Sequence, residues 1–149
     1  DRLLGDGMLL RLNVPKRVPN HAVAAVRCAY ELQGEFAQLR AEWLRIGKPV
    51  ESLRHRIGIA SGAVIAGQMG HPQFLSYTVI GKPVNEAARL CEAARDTTSG
   101  IVIADTTYQS VAPQLGGLFQ FVPLPGSQSG YAVEWQASAV LAGAWPSSA

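Results

Sequence analysis

The chain has 149 residues, of which 48% are hydrophobic, so it is long and apolar enough for one globular domain with a real core. Its 13 basic and 11 acidic residues leave a net charge of +2, which argues against nucleic acid or a membrane surface as the main partner. No apolar run approaches the ~20 residues that span a bilayer, and no signal peptide is visible. Cys28 and Cys91 are expected on buried helix faces as free thiols, which favours a reducing, cytoplasmic setting. Any membrane attachment would then depend on segments outside this chain.

A β-hairpin is the first expected element, spanning residues 3–12. Asp6-Gly7, preceded by Gly5, is a strong tight-turn signal between two apolar runs. On this pattern alone, forming the turn is enough to explain an aspartate at position 6, and Asp6 needs no further role. Because no start signal precedes the first strand, we expect the chain to be a fragment of a domain whose first strand and helices lie upstream of Asp1.

A long helix is expected next, beginning after Asn20 as the N-cap and ending at Gly47 and Pro49. Apolar residues recur along it at steps of three and four, namely Ala22, Val26, Ala29, Leu32, Phe36, Leu39 and Trp43. This stripe is interpreted as a core face that carries no chemistry.

Two short strands, 56–60 and 63–66, flank Ser61-Gly62 and predict a second hairpin. The small residues around this turn allow close approach of backbones. No P-loop or dinucleotide-binding pattern is present, so tight turns or subunit packing explain the glycines better than a phosphate cradle. The three histidines of the chain show no metal-ligand spacing.

The stretch 75–94 predicts a strand, a tight turn at Gly81 and a helix with Pro83 at its first position. Its apolar stripe is expected to comprise Val84, Ala87, Ala88, Cys91 and Ala94. Asn85 and Arg89 lie four residues apart and project from one face beside that stripe. An amide and a guanidinium near a helix start suit a polar, anionic ligand. The plainer alternative is a helix cap and a solvated surface arginine.

The remaining pattern predicts a buried strand at 101–104, a brief helix capped by Asp105-Thr106, two further strands at 119–124 and 131–135, and a tail or linker at 137–149. The order of elements predicts an α+β domain at residues 1–136, with helices packed on a mostly antiparallel sheet.

Three segments together resemble the catalytic domain of class III adenylyl and guanylyl cyclases. YTVIGKPVNEAARL is similar to the family pattern Tyr-Asp/Thr-x-x-Gly-x-x-Val-Asn-x-Ala-x-Arg-Leu/Met. RIGIASGAVIAGQMG, at 56–70, is similar to the strands that precede it, and RLLGDGMLLRL, at 2–12, to the hairpin that bears the second metal-binding aspartate. The resemblance covers roughly residues 1–135 in the family's order, and it implies a ferredoxin-like, βαββαβ-related fold.

The resemblance also implies a function and roles for particular residues. It implies conversion of ATP to 3′,5′-cyclic AMP and pyrophosphate, with two Mg²⁺ or Mn²⁺ ions per site. Asp6 would be a metal ligand, Asn85 would orient the ribose, and Arg89 would stabilise the transition state. These groups would meet across a homodimer, Asp6 from one chain facing the other two from its partner. Base choice would fall to Arg2, where adenylyl cyclases usually have Lys, and to Thr78, which favours ATP.

A second class of function stays open, a catalytically weak cyclase-like domain that binds nucleotide or partners and regulates an attached module. Arg2 departs from the usual Lys of the family. Ser129 also stands near the position where many relatives carry a Lys for the terminal phosphates, and no Lys follows Lys82. Lys82 itself occupies a position that is often acidic or Asn in the family. These departures favour the regulator, whereas Asp6, Asn85 and Arg89 favour the enzyme.

Overall fold

The computed structural model describes residues 1–73, 75–126 and 129–136; the tail expected at 137–149 lies outside them. Its strands are β1 (Arg2–Leu4), β2 (Gly7–Leu9), β3 (Ile57–Ile59), β4 (Ile65–Met69), β5 (Ser76–Ile80), β6 (Ile101–Ile103), β7 (Phe119–Pro123) and β8 (Tyr131–Trp135). Its helices are α1 (His21–Arg45), α2 (Lys82–Ala93), continued by a 3₁₀ turn at Ala94–Asp96, and α3 (Asp105–Leu115). None of the helices in these ranges has the length and apolar character needed to cross a bilayer.

The strands form one four-stranded sheet and two separate ribbons. The sheet has the order β3-β6-β8-β7, in which β3 and β6 are parallel and the other pairs antiparallel. The first ribbon is the hairpin of β1 and β2, and the second is the antiparallel pair of β4 and β5. With helices packed on mostly antiparallel strands, the expected α+β architecture is confirmed.

The expected second hairpin, 56–60 with 63–66, is wrong. β3 pairs with β6 through Gly58 and Val102, whereas β4 pairs with β5 through Ile65 and Ile80. The reason lies in burial, because β3 contacts both α2 and α1, and β6 is buried along its whole length. A parallel pair of strands needs such cover on both faces, and an exposed ribbon does not.

Alternate residues of β6 separate two apolar clusters, because successive side chains of a strand point to opposite faces. Ile101 and Ile103 belong to the larger cluster, with α1, α3, β7 and β8, whose other buried members are Ala22, Val26, Ala29, Val111, Leu115, Phe119 and Val133. Val102 belongs to the smaller cluster, with Leu90 of α2, Ala94 and Ala104. The α1 stripe is therefore core over its first turns, and α2 covers the other side of β6.

Helix ends and faces differ from the sequence expectation in three details. Asn20 is at the N-cap of α1, but its φ of 50° is left-handed and its side chain makes no capping hydrogen bond. Ala104, and not Asp105, is the N-cap of α3. On α2, Ala88 is exposed and Leu90 is buried, because the helix turns Leu90 toward β6 and leaves Ala88 beside the polar face.

A glycine in β3 determines how closely α2 approaches the sheet. A Cβ atom at Gly58 would lie 2.1 Å from the carbonyl oxygen of Ala87 and 2.3 Å from the amide nitrogen of Cys91. Both are backbone atoms of α2, so no side-chain rotation can make room. The absence of a side chain at this position lets α2 rest directly on β3.

Candidate active site

Asn85 and Arg89 lie on the outer face of α2, and both side chains are exposed. Gly81 is the N-cap of α2 with a φ of 151°, and a Cβ there would lie 3.3 Å from the Ala63 carbonyl oxygen. Pro83 occupies the first turn, where its missing N–H leaves no broken hydrogen bond. The local sequence thus starts α2 immediately after β5 and directs the amide and the guanidinium outward together, as the four-residue spacing predicts.

A shallow depression of about 370 Å³ lies over this face, lined by Lys82, Asn85, Glu86 and Arg89. Within the described residues, neither Lys82 nor Arg89 takes part in any of the chain's ion pairs. By contrast, Arg95 in the 3₁₀ turn that follows α2 is paired with Glu92. The depression therefore presents two cationic donors and one amide, together with the carboxylate of Glu86.

Arg2 and Thr78, the two residues expected to select the base, meet at one carboxylate. Arg2 Nε lies 3.0 Å from Asp1 Oδ2, and the Thr78 hydroxyl donates to the same oxygen at 2.8 Å. Arg11 forms an ion pair with the other oxygen of Asp1. It also donates to the Tyr77 carbonyl at 2.9 Å, with its guanidinium 5.0 Å from the Tyr77 ring centroid. The cluster ties the β1–β2 hairpin to β5.

Sequence reasoning missed Asp1 and Arg11 in this cluster. The side chain of Asp1 is fully enclosed, although its backbone lies at the surface. The sequence does mark Arg11 as unusual, because it is a charged residue in an otherwise apolar run from Met8 to Leu12. A buried charge of that kind needs a partner, and the nearest acidic residues in sequence are Asp1 and Asp6.

Asp6 is exposed in the turn between β1 and β2, as expected, and does not line the depression on α2. The described ranges contain no group of three or more His, Cys, Asp or Glu side chains that could hold a metal ion. Carboxylate oxygens suit Mg²⁺, but a single one does not make a site. The donors within these ranges therefore do not fit a complete divalent-metal centre.

Ser129, near the position where many cyclases carry a phosphate-binding Lys, contacts an acidic side chain. Its hydroxyl donates to the Asp105 carboxylate at the start of α3. Asp105 therefore adds a negative charge beside Ser129, which does not favour a phosphate there.

The chain matches the family described as the adenylate and guanylate cyclase catalytic domain over residues 2–123, and it belongs to that family. This match includes all five residues singled out from the sequence: Arg2, Asp6, Thr78, Asn85 and Arg89.

Several curated relatives are uncharacterized mycobacterial proteins. Two from Mycobacterium tuberculosis are 31% and 33% identical to this chain over 112 residues, which is 75% of the chain but 19% and 18% of the relatives. One from Mycobacterium bovis is 41% identical over 95 residues, 61% of the chain and 15% of the relative. The chain thus spans about a fifth of the length of the curated relatives it matches.

Solved structures of both kinds of cyclase are similar to this fold. The adenylyl cyclase CyaB from P. aeruginosa is 27% identical, with a TM-score of 0.65 over 83% of this chain and 64% of that one. The guanylyl cyclase Cya2 is 25% identical, with a TM-score of 0.69 over 92% and 70%. These neighbours confirm the class III cyclase domain, and they include both an adenylyl and a guanylyl cyclase.

Proposed function

We propose that this chain is the catalytic domain of an enzyme that converts ATP to 3′,5′-cyclic AMP and pyrophosphate. The observation that carries the proposal is the outer face of α2, where Asn85 and Arg89 stand together in an open depression. Lys82 adds a second cation there. An exposed amide and two cations match the ribose and phosphates of a nucleoside triphosphate. A cytoplasmic location belongs to the same proposal, with any membrane anchor outside this chain.

The proposed reaction is an intramolecular phosphoryl transfer. The 3′-oxygen of the ribose forms a bond to the α-phosphorus, the bond from that phosphorus to the bridging β-phosphate oxygen breaks, and the 3′-hydroxyl proton is released. Asn85 holds the ribose so that its 3′-oxygen faces the phosphorus. Arg89 donates to the non-bridging α-phosphate oxygens, where negative charge develops in the transition state.

ATP is the proposed substrate because Arg2 and Thr78 complement the adenine edge. A guanidinium only donates hydrogen bonds, which suits the acceptor N1 of adenine. A threonine hydroxyl can accept from the 6-amino group. Guanine presents the opposite pattern on the same edge, a donor at N1 and an acceptor at position 6.

A homodimer is the proposed assembly, with Asp6 of one chain facing Asn85 and Arg89 of its partner. Large apolar side chains lie exposed on both ribbons, such as Leu3 at 79% exposure and Ile65 at 68%. Apolar surface of this kind favours burial against a second protein surface. A two-fold axis would then create two equivalent sites.

The proposed cofactor is a pair of divalent ions per site, either Mg²⁺ or Mn²⁺. Asp6 is the ligand that this chain would contribute. Because the donors in the described ranges do not complete a metal centre, the other ligands must come from other residues of the full protein or from the substrate phosphates. Removing divalent cations with a chelator is expected to abolish product formation.

Two variants of the full-length protein test the shared site. Asp6→Ala and Arg89→Ala are each expected to lose about 10²-fold or more in turnover when assayed alone, because each lacks one half of every site. A mixture of the two should regain activity, since the mixed dimer contains one intact site. If both variants dimerise and their mixture forms no cyclic AMP, the proposed arrangement across the dimer is wrong.

A regulatory, nucleotide-binding domain with weak catalysis is the second candidate. Arg2 in place of the usual Lys, together with the incomplete donor set for metal in the described ranges, favours it. The two candidates differ in one measurement on the full-length protein. The enzyme forms cyclic AMP from ATP with Mg²⁺ or Mn²⁺, whereas the regulator binds ATP without forming product.

A further inference from the structure

We infer that Asp1 is a positioning residue for base recognition: its carboxylate fixes the direction of the Thr78 hydroxyl, so that the Thr78 oxygen meets the base as an acceptor. The inference rests on the proposed nucleotide site and goes beyond it, because it names a specificity residue that does not itself touch the base.

The Thr78 hydroxyl group can take two roles in a hydrogen bond. A free threonine hydroxyl rotates and can either donate or accept, so it accommodates the 6-amino group of adenine and the 6-carbonyl of guanine alike. By itself, Thr78 is therefore a weak discriminator between the two bases. Selectivity for adenine requires the hydroxyl proton to be donated to another group, so that the oxygen can only accept from the base.

Asp1 holds that proton. Thr78 Oγ lies 2.8 Å from Asp1 Oδ2, within ordinary hydrogen-bond distance. The carboxylate is ion-paired with Arg2 and Arg11, and an ionised carboxylate can only accept hydrogen bonds. The hydroxyl must therefore be the donor in this contact, and its lone pairs are left for the ligand.

Burial makes the arrangement persistent. The Asp1 side chain has 0% exposure, and Thr78 has 6%. Water therefore competes little for the hydrogen bond, and turning the hydroxyl away would leave a buried carboxylate oxygen with one partner fewer. The enclosed carboxylate does not reach the base, and it acts through Thr78.

Arg2 completes a donor–acceptor pair at the same carboxylate. Its guanidinium only donates, and Thr78 with its proton committed only accepts. Adenine presents an acceptor at N1 and a donor at position 6, and both match. A purine with a 6-carbonyl presents a donor at N1 and an acceptor at position 6. The donor would then face Arg2 and the acceptor would face the Thr78 oxygen, so neither hydrogen bond can form.

The test compares ATP with inosine triphosphate, because inosine differs from adenosine only on this edge and lacks the 2-amino group of guanine. Initial rates of cyclisation are measured with the full-length protein for both nucleotides. Affinities for 3′-deoxyATP and 3′-deoxyinosine triphosphate are measured by calorimetry, since these analogues lack the attacking hydroxyl and report binding without turnover.

Asp1→Asn is the main variant, because an amide can donate to Thr78 as well as accept from it and so releases the hydroxyl. The preference for the adenine nucleotide is expected to fall about tenfold in rate ratio and affinity ratio, equivalent to about 1.4 kcal/mol. Arg11→Gln is the matched control. It breaks the ion pair, keeps a donor toward the Tyr77 carbonyl, and is expected to leave both ratios unchanged.

An unchanged preference in Asp1→Asn overturns the inference, and so does an equal fall in Arg11→Gln, which would assign the effect to the ion pair. If Asp1→Asn does not fold, Thr78→Ser should keep the preference and Thr78→Val should lose it; retention in Thr78→Val overturns the inference. Absence of cyclic product with selective analogue binding refutes the proposed catalysis alone. Absence of analogue binding refutes both.

Discussion

Replacing Gly58 with alanine is expected to push α2 off the sheet and to damage stability and activity together. The added Cβ would lie 2.1 Å from the Ala87 carbonyl oxygen, against 3.4 Å for ordinary contact, so the helix must retreat by about 1.3 Å. Because the obstructing atoms are backbone, we expect the upper end of the usual cost of overpacking, about 3 kcal/mol. For a chain of this length that lowers Tm by about 6–12 °C.

Activity should fall further than stability explains, because α2 carries Asn85 and Arg89. A misplacement of about 1 Å of catalytic groups costs roughly 10²-fold in rate. The assays are thermal unfolding followed by circular dichroism and cyclic AMP formation at a temperature where the Gly58→Ala variant stays folded. Comparison at that temperature separates lost folding from lost geometry.

Gly34→Ala is the matched control, since it makes the same chemical change in α1. A Cβ at Gly34 meets no atom within 4 Å, and the position is exposed in mid-helix. Alanine there should stabilise the protein by about 0.5–1 kcal/mol and leave the rate unchanged. If Gly58→Ala melts within about 1 °C of the parent protein with full activity, the close contact between α2 and β3 is not as described.

Arg89→Ala should lower turnover by about 10²-fold or more while Tm stays unchanged, and an unaltered rate would remove Arg89 from the mechanism. Burial lowers the pKa of His55 below 6.5, and its Nδ1 has no hydrogen-bond partner among the residues that the structure describes. As pH falls below 6.5, His55 is therefore protonated more readily in the unfolded chain than in the folded one. The free energy of unfolding should decrease over that pH range. Urea titrations from pH 8 to 5 measure this, and His55→Gln should flatten the dependence. Ile65→Lys should weaken self-association in sedimentation experiments without lowering Tm, because Ile65 is exposed within the chain; equal association would exclude the β4–β5 ribbon from the interface.

Local patterns in the sequence predict local elements of this fold well. The Asp6-Gly7 turn predicts the first hairpin, and apolar spacing predicts α1 and α2 to within a few residues. Asn85 and Arg89 are brought together by the helical repeat alone, so their proximity also follows from the sequence. Each of these features depends on residues fewer than about ten positions apart.

Contacts distant in sequence were not predictable in the same way. The pairing of β3 with β6 depends on which faces of the strands are covered by helices. The local sequence, two neighbouring strands with Ser61-Gly62 between them, predicts a hairpin instead. Asp1 and Thr78 are separated by 77 positions, and nothing in either local pattern connects them. Residue type does not reveal a partner that only the assembled sheet and ribbons bring close.

The division of the strands into one sheet and two ribbons has a mechanical consequence. Adenine would be held at the junction of the ribbons, whereas ribose and phosphates would be held by a helix resting on the sheet. The two ribbons and the four-stranded sheet share no strand pairing in the described ranges. A bound nucleotide would therefore connect the ribbons to the sheet and its helix. Amide hydrogen exchange should then slow in β4 and β5 when ATP analogue is added, while the already protected amides of β6 change little.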